Sequence, residues 1–288
     1  MIWLMMMTSS NIQVLALGAG VQSSALLLMS CKGLLPKIDI AIFSDVGWEP
    51  PDVYTHLEWL TNEAAKHDIP VVTVSNGNLR DDYLAGIQEG GPRFSSIPFF
   101  TKSKEGKGGM APRHCTTDYK VKPLERYQRR ELMGLKPRQH APKEPVIDLW
   151  MGITSDEITR MRDSKNKWQV HVYPFLQHPF ELLPKMWSRL DCINWLNEQY
   201  PTRYIPRSAC IGCPFHDNSE WQRIKDDPEL WKDAVEFDEQ IRNPRGLKGE
   251  GYLHKSRRPL SEVDLKVEGS VPGQINLFEN DCQGMCGL

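Results

Sequence analysis

The chain has 288 residues, of which 40% are hydrophobic and 25% charged, enough apolar material to bury a core without disulfide or metal staples. That composition excludes a disordered polyelectrolyte and a membrane-embedded protein. Thirty-five Lys and Arg against 37 Asp and Glu leave a formal charge of -2, so no global field recruits nucleic acid, although a local basic face is compatible with it.

Residues 1–7 are apolar but carry no basic flank and no cleavage site, and are too short to span a bilayer. The expectation is an untargeted cytoplasmic chain with no membrane partner. Residues 12–17 (IQVLAL) predict a buried strand, 23–30 a helix and 38–43 (IDIAIF) a second buried strand. A helix over 53–67 and a strand over 69–74 (IPVVTV) extend the pattern into a parallel sheet wound with helices on both faces, an α/β fold. Such sheets bind ligands at the carboxyl ends of their strands.

Residues 90–114 are rich in Gly, Pro and basic side chains without period and predict a long loop. Helix is predicted again over 120–132, strand over 146–152, and helix over 191–198 and 220–241. The stripe Trp221, Ile224, Trp231, Ala234, Val235 and Ile241 on the last helix reads as core. After 243 the chain is Gly- and Pro-rich and ends in an irregular cysteine-bearing tail. The division expected is a nucleotide-binding α/β domain over 1–205 and a helical and irregular region over 206–288.

Between the first strand and helix lies Gly18-Ala19-Gly20-Val21-Gln22-Ser23-Ser24. Small residues expose backbone amides there, and hydroxyls stand at a helix start, a combination suited to phosphate. No Lys follows the glycines, so it is not a Walker A loop. Gly18-x-Gly20 with Asp45 after the second strand keeps a dinucleotide-binding turn, and hence an NAD-type oxidoreductase, open. The second loop, Asp45-Val46-Gly47-Trp48-Glu49-Pro50-Pro51, is expected to face the same crevice. Farther on come Arg113-His114-Cys115-Thr116-Thr117-Asp118-Tyr119-Lys120-Val121-Lys122-Pro123 and Gly152-Ile153-Thr154-Ser155-Asp156-Glu157-Ile158-Thr159-Arg160.

Taken together and in order, these segments resemble the phosphoadenosine-phosphosulfate reductase family of the adenine nucleotide alpha hydrolase, or PP-loop ATP pyrophosphatase, superfamily. Residues 18–23 stand where that family has Ser-Gly-Gly-x-Asp-Ser, and 45–51 are similar to its Asp-Thr-Gly-x-x-x-Pro. Residues 115–123 are similar to Cys-Thr-x-x-x-Lys-x-x-Pro, and 152–160 to Gly-x-x-x-x-Glu-x-x-x-Arg. The resemblance implies an adenine nucleotide, ATP or a relative, held by Gly18, Gly20, Gln22, Ser23, Ser24, Phe43, Asp45, Gly47 and Gly152, with Mg2+ as a companion. It implies Arg113, Lys120 and Arg160 as cations for the reacting phosphate, with Glu157 orienting Arg160 or holding a metal. The loop departs from the family at Gly18, Ala19 and Gln22, which removes one hydroxyl and one carboxylate and leaves a non-catalytic nucleotide-binding subunit or sensor as a rival.

Seven cysteines without a secretion signal favour metal or catalytic thiols. Cys210-x-x-Cys213-Pro and Cys282-x-x-x-Cys286 supply four thiolates that suit one Zn2+ or [4Fe-4S] site, or else two separate dithiols. Sulfur-handling relatives that the chain resembles, DNA phosphorothioation sulfurtransferases among them, tilt that choice toward iron–sulfur. Cys115, beside Arg113 and His114, is set apart as a nucleophile, a sulfur carrier or a further ligand. Cys31 and Cys192 read as core, His216 as a surface or supporting histidine, and residues 252–259 as a basic patch for a phosphate-bearing substrate, a nucleic acid or solvent. The function expected is nucleotide-dependent substrate activation coupled to sulfur transfer or redox chemistry, with an electron or sulfur donor protein as partner. Sulfonucleotide reduction is the enzymatic alternative, although the Glu-Cys-Gly-x-His segment of the thioredoxin-dependent reductases is absent.

Overall fold

The computed structural model describes residues 11–89, 97–176, 183, 185–243 and 249–266. In chain order these form β1 (Ile12–Leu17), α1 (Val21–Cys31), β2 (Ile40–Asp45), α2 (Pro51–Ala65), β3 (Val71–Ser75), α3 (Leu79–Glu89), β4 (Phe100–Lys102) and β5 (Gly108–Met110). They continue with α4 (Lys122–Tyr127), β6 (Ile147–Trp150), β7 (Gln169–Val172), α5 (Arg189–Gln199), α6 (Asn218–Lys225), α7 (Pro228–Gln240) and β8 (Glu250–Tyr252).

Five strands make a parallel sheet of order β3-β2-β1-β6-β7. Its centre is set by apolar runs covered on both faces, as parallel strands require: Ile40, Ala41, Ile42 and Phe43 are all buried, and Val14 pairs in register with Ile40 on one side and Leu149 on the other. One face carries α1, α2 and α5, whose Leu26, Leu60 and Leu196 join Leu15 and Phe43. The other face is covered around α4, where Leu124 meets Val14, Ile42 and Leu149. The α/β class with helices on both faces of a parallel sheet is therefore as the sequence reads.

A second core lies beside the strand ends, where Trp48, Tyr83, Phe99, Trp221, Phe237 and Leu253 pack between α3, α6, α7 and a small antiparallel sheet of order β5-β4-β8. That sheet corrects the expectation of loop over 90–114 and of irregular chain throughout the segment after 243. Its strands are three residues long, and β5 reads Gly-Gly-Met, so no side-chain alternation marks it. The single helix expected over 220–241 is two, because Asp227 accepts the amides of Glu229 and Leu230 and Pro228 starts a fresh helix. Helix over 120–132 begins earlier, with π-helical turns at Thr116–Val121 and Gln128–Leu132 on either side of α4. Among the described residues, no helix is long and apolar enough to cross a membrane.

Candidate functional site

The β1–α1 loop turns at Ala19, which takes a left-handed conformation with φ +54°, and α1 starts at Gly20 with no side-chain cap. The first amides of the helix are thus left to backbone geometry, the arrangement that favours an anion. Ser23 folds the loop on itself: its hydroxyl accepts the Gly18 amide at 3.1 Å and donates to the Gly20 carbonyl at 3.3 Å. Ser24 points elsewhere, fully buried, with Oγ 2.9 Å from His56 Nε2 in the α1–α2 interior. Phe43 is likewise a core side chain, 1% exposed.

Three segments press on this loop. A Cβ on Gly152 would stand 3.0 Å from the Gln22 Cβ and the Ser23 amide nitrogen, so the end of β6 approaches only as glycine. Gln22 donates to Glu157 Oε2 at 3.2 Å, and Arg160 pairs with the other oxygen of the same carboxylate. Glu157 therefore orients Arg160 and fixes Gln22 at once. Above Gly20, Ser208 lies so close that a Cβ there would meet it at 3.2 Å.

The second loop is held by Asp45, whose Oδ1 accepts the Gly47 amide at 2.7 Å and the Tyr54 hydroxyl at 2.8 Å. Gly47 has φ +70°, and its carbonyl accepts Asn78 Nδ2 at 2.8 Å, which ties the loop to the start of α3. Asp45, Gly47 and Gly18 thus shape the two loops at the carboxyl ends of β1 and β2, as the open-sheet rule expects.

Two cavities open here. One, of about 270 Å³ and open to solvent, is lined by Ala16, Gly18, Ile42, Ser44 and Lys120. The other, about 440 Å³ including the space open to solvent, is walled by apolar surface, and Glu49, Arg113, Cys115, Lys120, Cys210 and Cys213 are among the residues around it. Lys120 lines both. Its ammonium stands 3.4 Å from Glu49 Oε1, and the Glu49 side chain has no exposure. Burial pushes the Glu49 carboxyl up, against the pull of Lys120. Arg113 donates to Thr116 Oγ1 at 2.6 Å and lies 5.5 Å over the Phe215 ring.

The Cys-x-x-Cys knuckle docks on the second loop. The Ile211 amide donates to the Trp48 carbonyl at 2.9 Å, and a Cβ on Gly212 would come within 2.1 Å of the Trp48 ring. Cys210 and Cys213 close one turn, with the Cys213 amide 3.0 Å from the Cys210 carbonyl. His216 is buried beneath it and donates Nε2–H to the carbonyls of Cys210 and Ile211 at 2.9 and 3.2 Å, and burial holds its pKa down to about 3, which keeps the ring neutral. It supports the knuckle from inside rather than standing on the surface.

Cys115, set apart by its sequence context, shares the larger cavity with Cys210 and Cys213. Cys282 and Cys286 lie outside the described residues. Among the described residues, no group of three or more His, Cys, Asp or Glu side chains is gathered to hold a metal ion. Cys192 is core, and burial raises its thiol well above the usual range; Cys31, partly exposed, is pushed up to about 11 by the same cause. The basic stretch over 252–259 is not wholly a surface patch, since Tyr252, Leu253 and His254 are buried and His254 is held by Ser256 and Asn218. The residue that motif reading passed over is Glu49; a lone acid inside Trp-Glu-Pro-Pro was its one sequence signal.

No family model matches the chain, and no curated protein matches it. Among solved structures it is similar to a phosphoadenylyl-sulfate (PAPS) reductase from Candida auris in a phosphate complex, with TM-score 0.40 and 13% identity over 72% of this chain and 79% of that one. The α/β class is read from the chain's own parallel sheet and flanking helices.

Proposed function

We propose that the chain is an enzyme of the PAPS-reductase-like, PP-loop type that binds ATP or another adenine nucleotide, activates a substrate at phosphorus, and couples this to sulfur or redox chemistry at cysteines. The observation that carries the reading is Lys120, which lines both the cleft at Gly18 and the cavity holding Cys115, Cys210 and Cys213. A cation at that junction stands where negative charge would develop on a phosphoryl group attacked from the cysteine side. Backbone amides of the β1–α1 loop and Ser23 would receive the phosphates, while Arg113 adds positive charge on the far wall. Glu157 is already engaged by Gln22 and Arg160, so Mg2+ would arrive with the nucleotide phosphates.

The knuckle suits a metal centre: two thiols close one turn and a buried histidine fixes the backbone carbonyls of Cys210 and Ile211 within it. Cys210 and Cys213 would hold Zn2+ or [4Fe-4S] with Cys282 and Cys286, and an iron–sulfur centre when bound supplies electrons or sulfur chemistry. Sulfonucleotide reduction is the second reading, favoured by Cys115 opening into the same cavity as Lys120 and Arg113.

Calorimetric titration with ATP and with adenylyl sulfate, followed by assay for released pyrophosphate or sulfite, tests both. Tight ATP binding with pyrophosphate release supports the first reading, and sulfite from adenylyl sulfate the second. Binding of NAD with no response to either adenine nucleotide overturns both.

A further inference from the structure

We propose that the outer face of the small β5-β4-β8 sheet, with the turn at its end, is a docking surface for single-stranded nucleic acid, DNA or RNA. The strand's phosphates meet Lys102, Lys104, Lys107, Lys255, Arg257 and Arg258, and its unpaired bases lie against the sheet. This goes beyond the nucleotide reading above and does not depend on it.

The two faces of the sheet differ. Inward, Phe99, Ala111 and Leu253 belong to the second core, and a Cβ on Gly251 would strike the Ile241 carbonyl oxygen at 2.4 Å. The register therefore turns the paired residues Phe100, Met110 and Tyr252 outward, with Lys102 and Gly108 one step along the same face. Met110 is 43% exposed there, and Tyr252 lies beneath the Arg242 guanidinium, 3.8 Å from its ring. Arg257 is drawn onto this face from beyond β8. Its guanidinium carbon stands 6.0 Å from the Phe100 ring centre, and a Cβ on Gly108 would meet it at 2.3 Å, so a side chain at 108 would expel the cation. Arg257 takes φ +54° in a turn closed by its amide on the His254 carbonyl at 3.0 Å, so the backbone fixes where the cation lies.

The hairpin turn is closed by the Ser103 amide on the Lys107 carbonyl at 2.8 Å and leaves Lys104 and Lys107 exposed at its tip. Lys102, Lys255 and Arg258 are exposed as well; the acids among these segments are Glu105 and Glu250, and Glu250 accepts the Tyr252 hydroxyl at 2.6 Å. Lysines elsewhere on the surface are paired, Lys66 with Glu63 and Lys122 with Asp118, whereas none of the six cations forms an ion pair with a described residue. Spaced cations of this kind suit a chain of phosphates. Phe100, Met110, the Arg257 guanidinium and the bare backbone at Gly108 and Gly109 add a flat surface on which bases stack, and a duplex keeps its base faces hidden. A bilayer would use the charges but find little beyond Met110 to take into its interior. Both strands spring from the wall of the larger cavity, β4 just after Ile97 and Pro98 and β5 just before Arg113 and Cys115, so the bound strand lies next to that cavity.

Fluorescence anisotropy of the full chain tests this, with labelled single-stranded DNA and RNA of about 20 nucleotides and a duplex of the same sequence, alongside flotation with phosphatidylserine vesicles. Single strands are expected to bind with a dissociation constant of about 1–100 µM at physiological salt, more tightly than the duplex, and to weaken with salt at a logarithmic slope of about -3 to -4; the DNA and RNA arms show which strand is preferred. Lys104→Glu and Lys107→Glu are each expected to weaken binding about tenfold and to lower the slope by about 0.7, while Lys66→Glu, the same change of charge just past α2, leaves it as it was. Arg257→Gln is expected to remove the preference for single strands; should it lower the melting temperature, the lysines of the exposed turn carry the test. No binding to either single strand at low salt, equal affinity for the duplex, an equal loss in Lys66→Glu, or binding to vesicles alone overturns the proposal. None of these measurements contains ATP, so its failure leaves the nucleotide reading standing, and a chain that fails to bind ATP leaves this surface standing.

Discussion

Adjacent serines at the start of α1 have separate fates because one helical residue turns a side chain by about 100°. Ser23 closes the β1–α1 loop, whereas Ser24 is buried against His56. That burial holds the His56 pKa down to about 4, and His254 is lowered to about 4 by the same cause. Above about pH 6.5 both are neutral whether the chain is folded or not; below it the unfolded chain takes up protons that the folded chain refuses, so stability falls as pH drops toward 4. Each histidine contributes a slope of about 1.4 kcal/mol per pH unit across that window. Urea unfolding at pH 7, 6 and 5 is expected to show the decline, and His56→Gln, which keeps a partner for Ser24, to flatten it. An unchanged slope in that variant would mean that His56 is not held neutral. At Gly212 the expected result is different: alanine there drives a methyl into the Trp48 ring and is expected to cost about 1–3 kcal/mol. Thermal melting, with cysteine reactivity as a reporter of the knuckle, decides it, and a variant with wild-type melting and reactivity refutes the close docking.

Between elements, a few buried polar side chains do what apolar packing alone leaves undone. Asp238 on α7 is 1% exposed and accepts the amides of Leu253 at 2.7 Å and Leu260 at 3.0 Å while pairing with Arg242. It fastens the β8 segment to the second core. Asp238→Ala strands two amides and a cation and is expected to cost about 3–5 kcal/mol, with Asp238→Asn milder because one acceptor oxygen remains. A loss below about 1 kcal/mol in urea would show that the segment docks without it. These cross-links also mark what sequence conveys. The runs of β1 and β2 are legible because central parallel strands are apolar on both faces, and that of β3, at the sheet edge, because Val71, Val72 and Val74 are β-branched. β7 is not, since an edge strand with Gln169 and His171 looks like loop, and α3 hides because its start is secured by Asn78 accepting the amides of Arg80 and Asp81 rather than by an apolar stripe. At the site, the order of motifs brought Lys120, Arg113 and Cys115 into view. Glu49 stayed out of view because its importance is burial, which no spacing records.

Across the whole molecule the chain places the cysteine knuckle, 210–213, against the second loop of the sheet that begins almost two hundred residues earlier. The same knuckle lines a cavity with Cys115, so two distant segments bring cysteines to one pocket, although among the described residues no three such side chains are gathered around a metal position. A metal bound by Cys210 and Cys213 needs two more ligands to complete a tetrahedral set, and two sources compete: Cys115 from within the cavity together with one further ligand, and Cys282 with Cys286 from the C-terminal pair. If the C-terminal pair completes the site, anaerobically purified protein holds zinc or iron in proportion to chain, truncation after Lys266 removes most of it, and Cys115→Ser keeps it while losing turnover. The ultraviolet and visible spectrum separates the metals, because a [4Fe-4S] centre absorbs where zinc does not. Metal retained after truncation but lost from Cys115→Ser would instead make Cys115, Cys210 and Cys213 the ligand set, and the nucleophile would then have to come from the substrate.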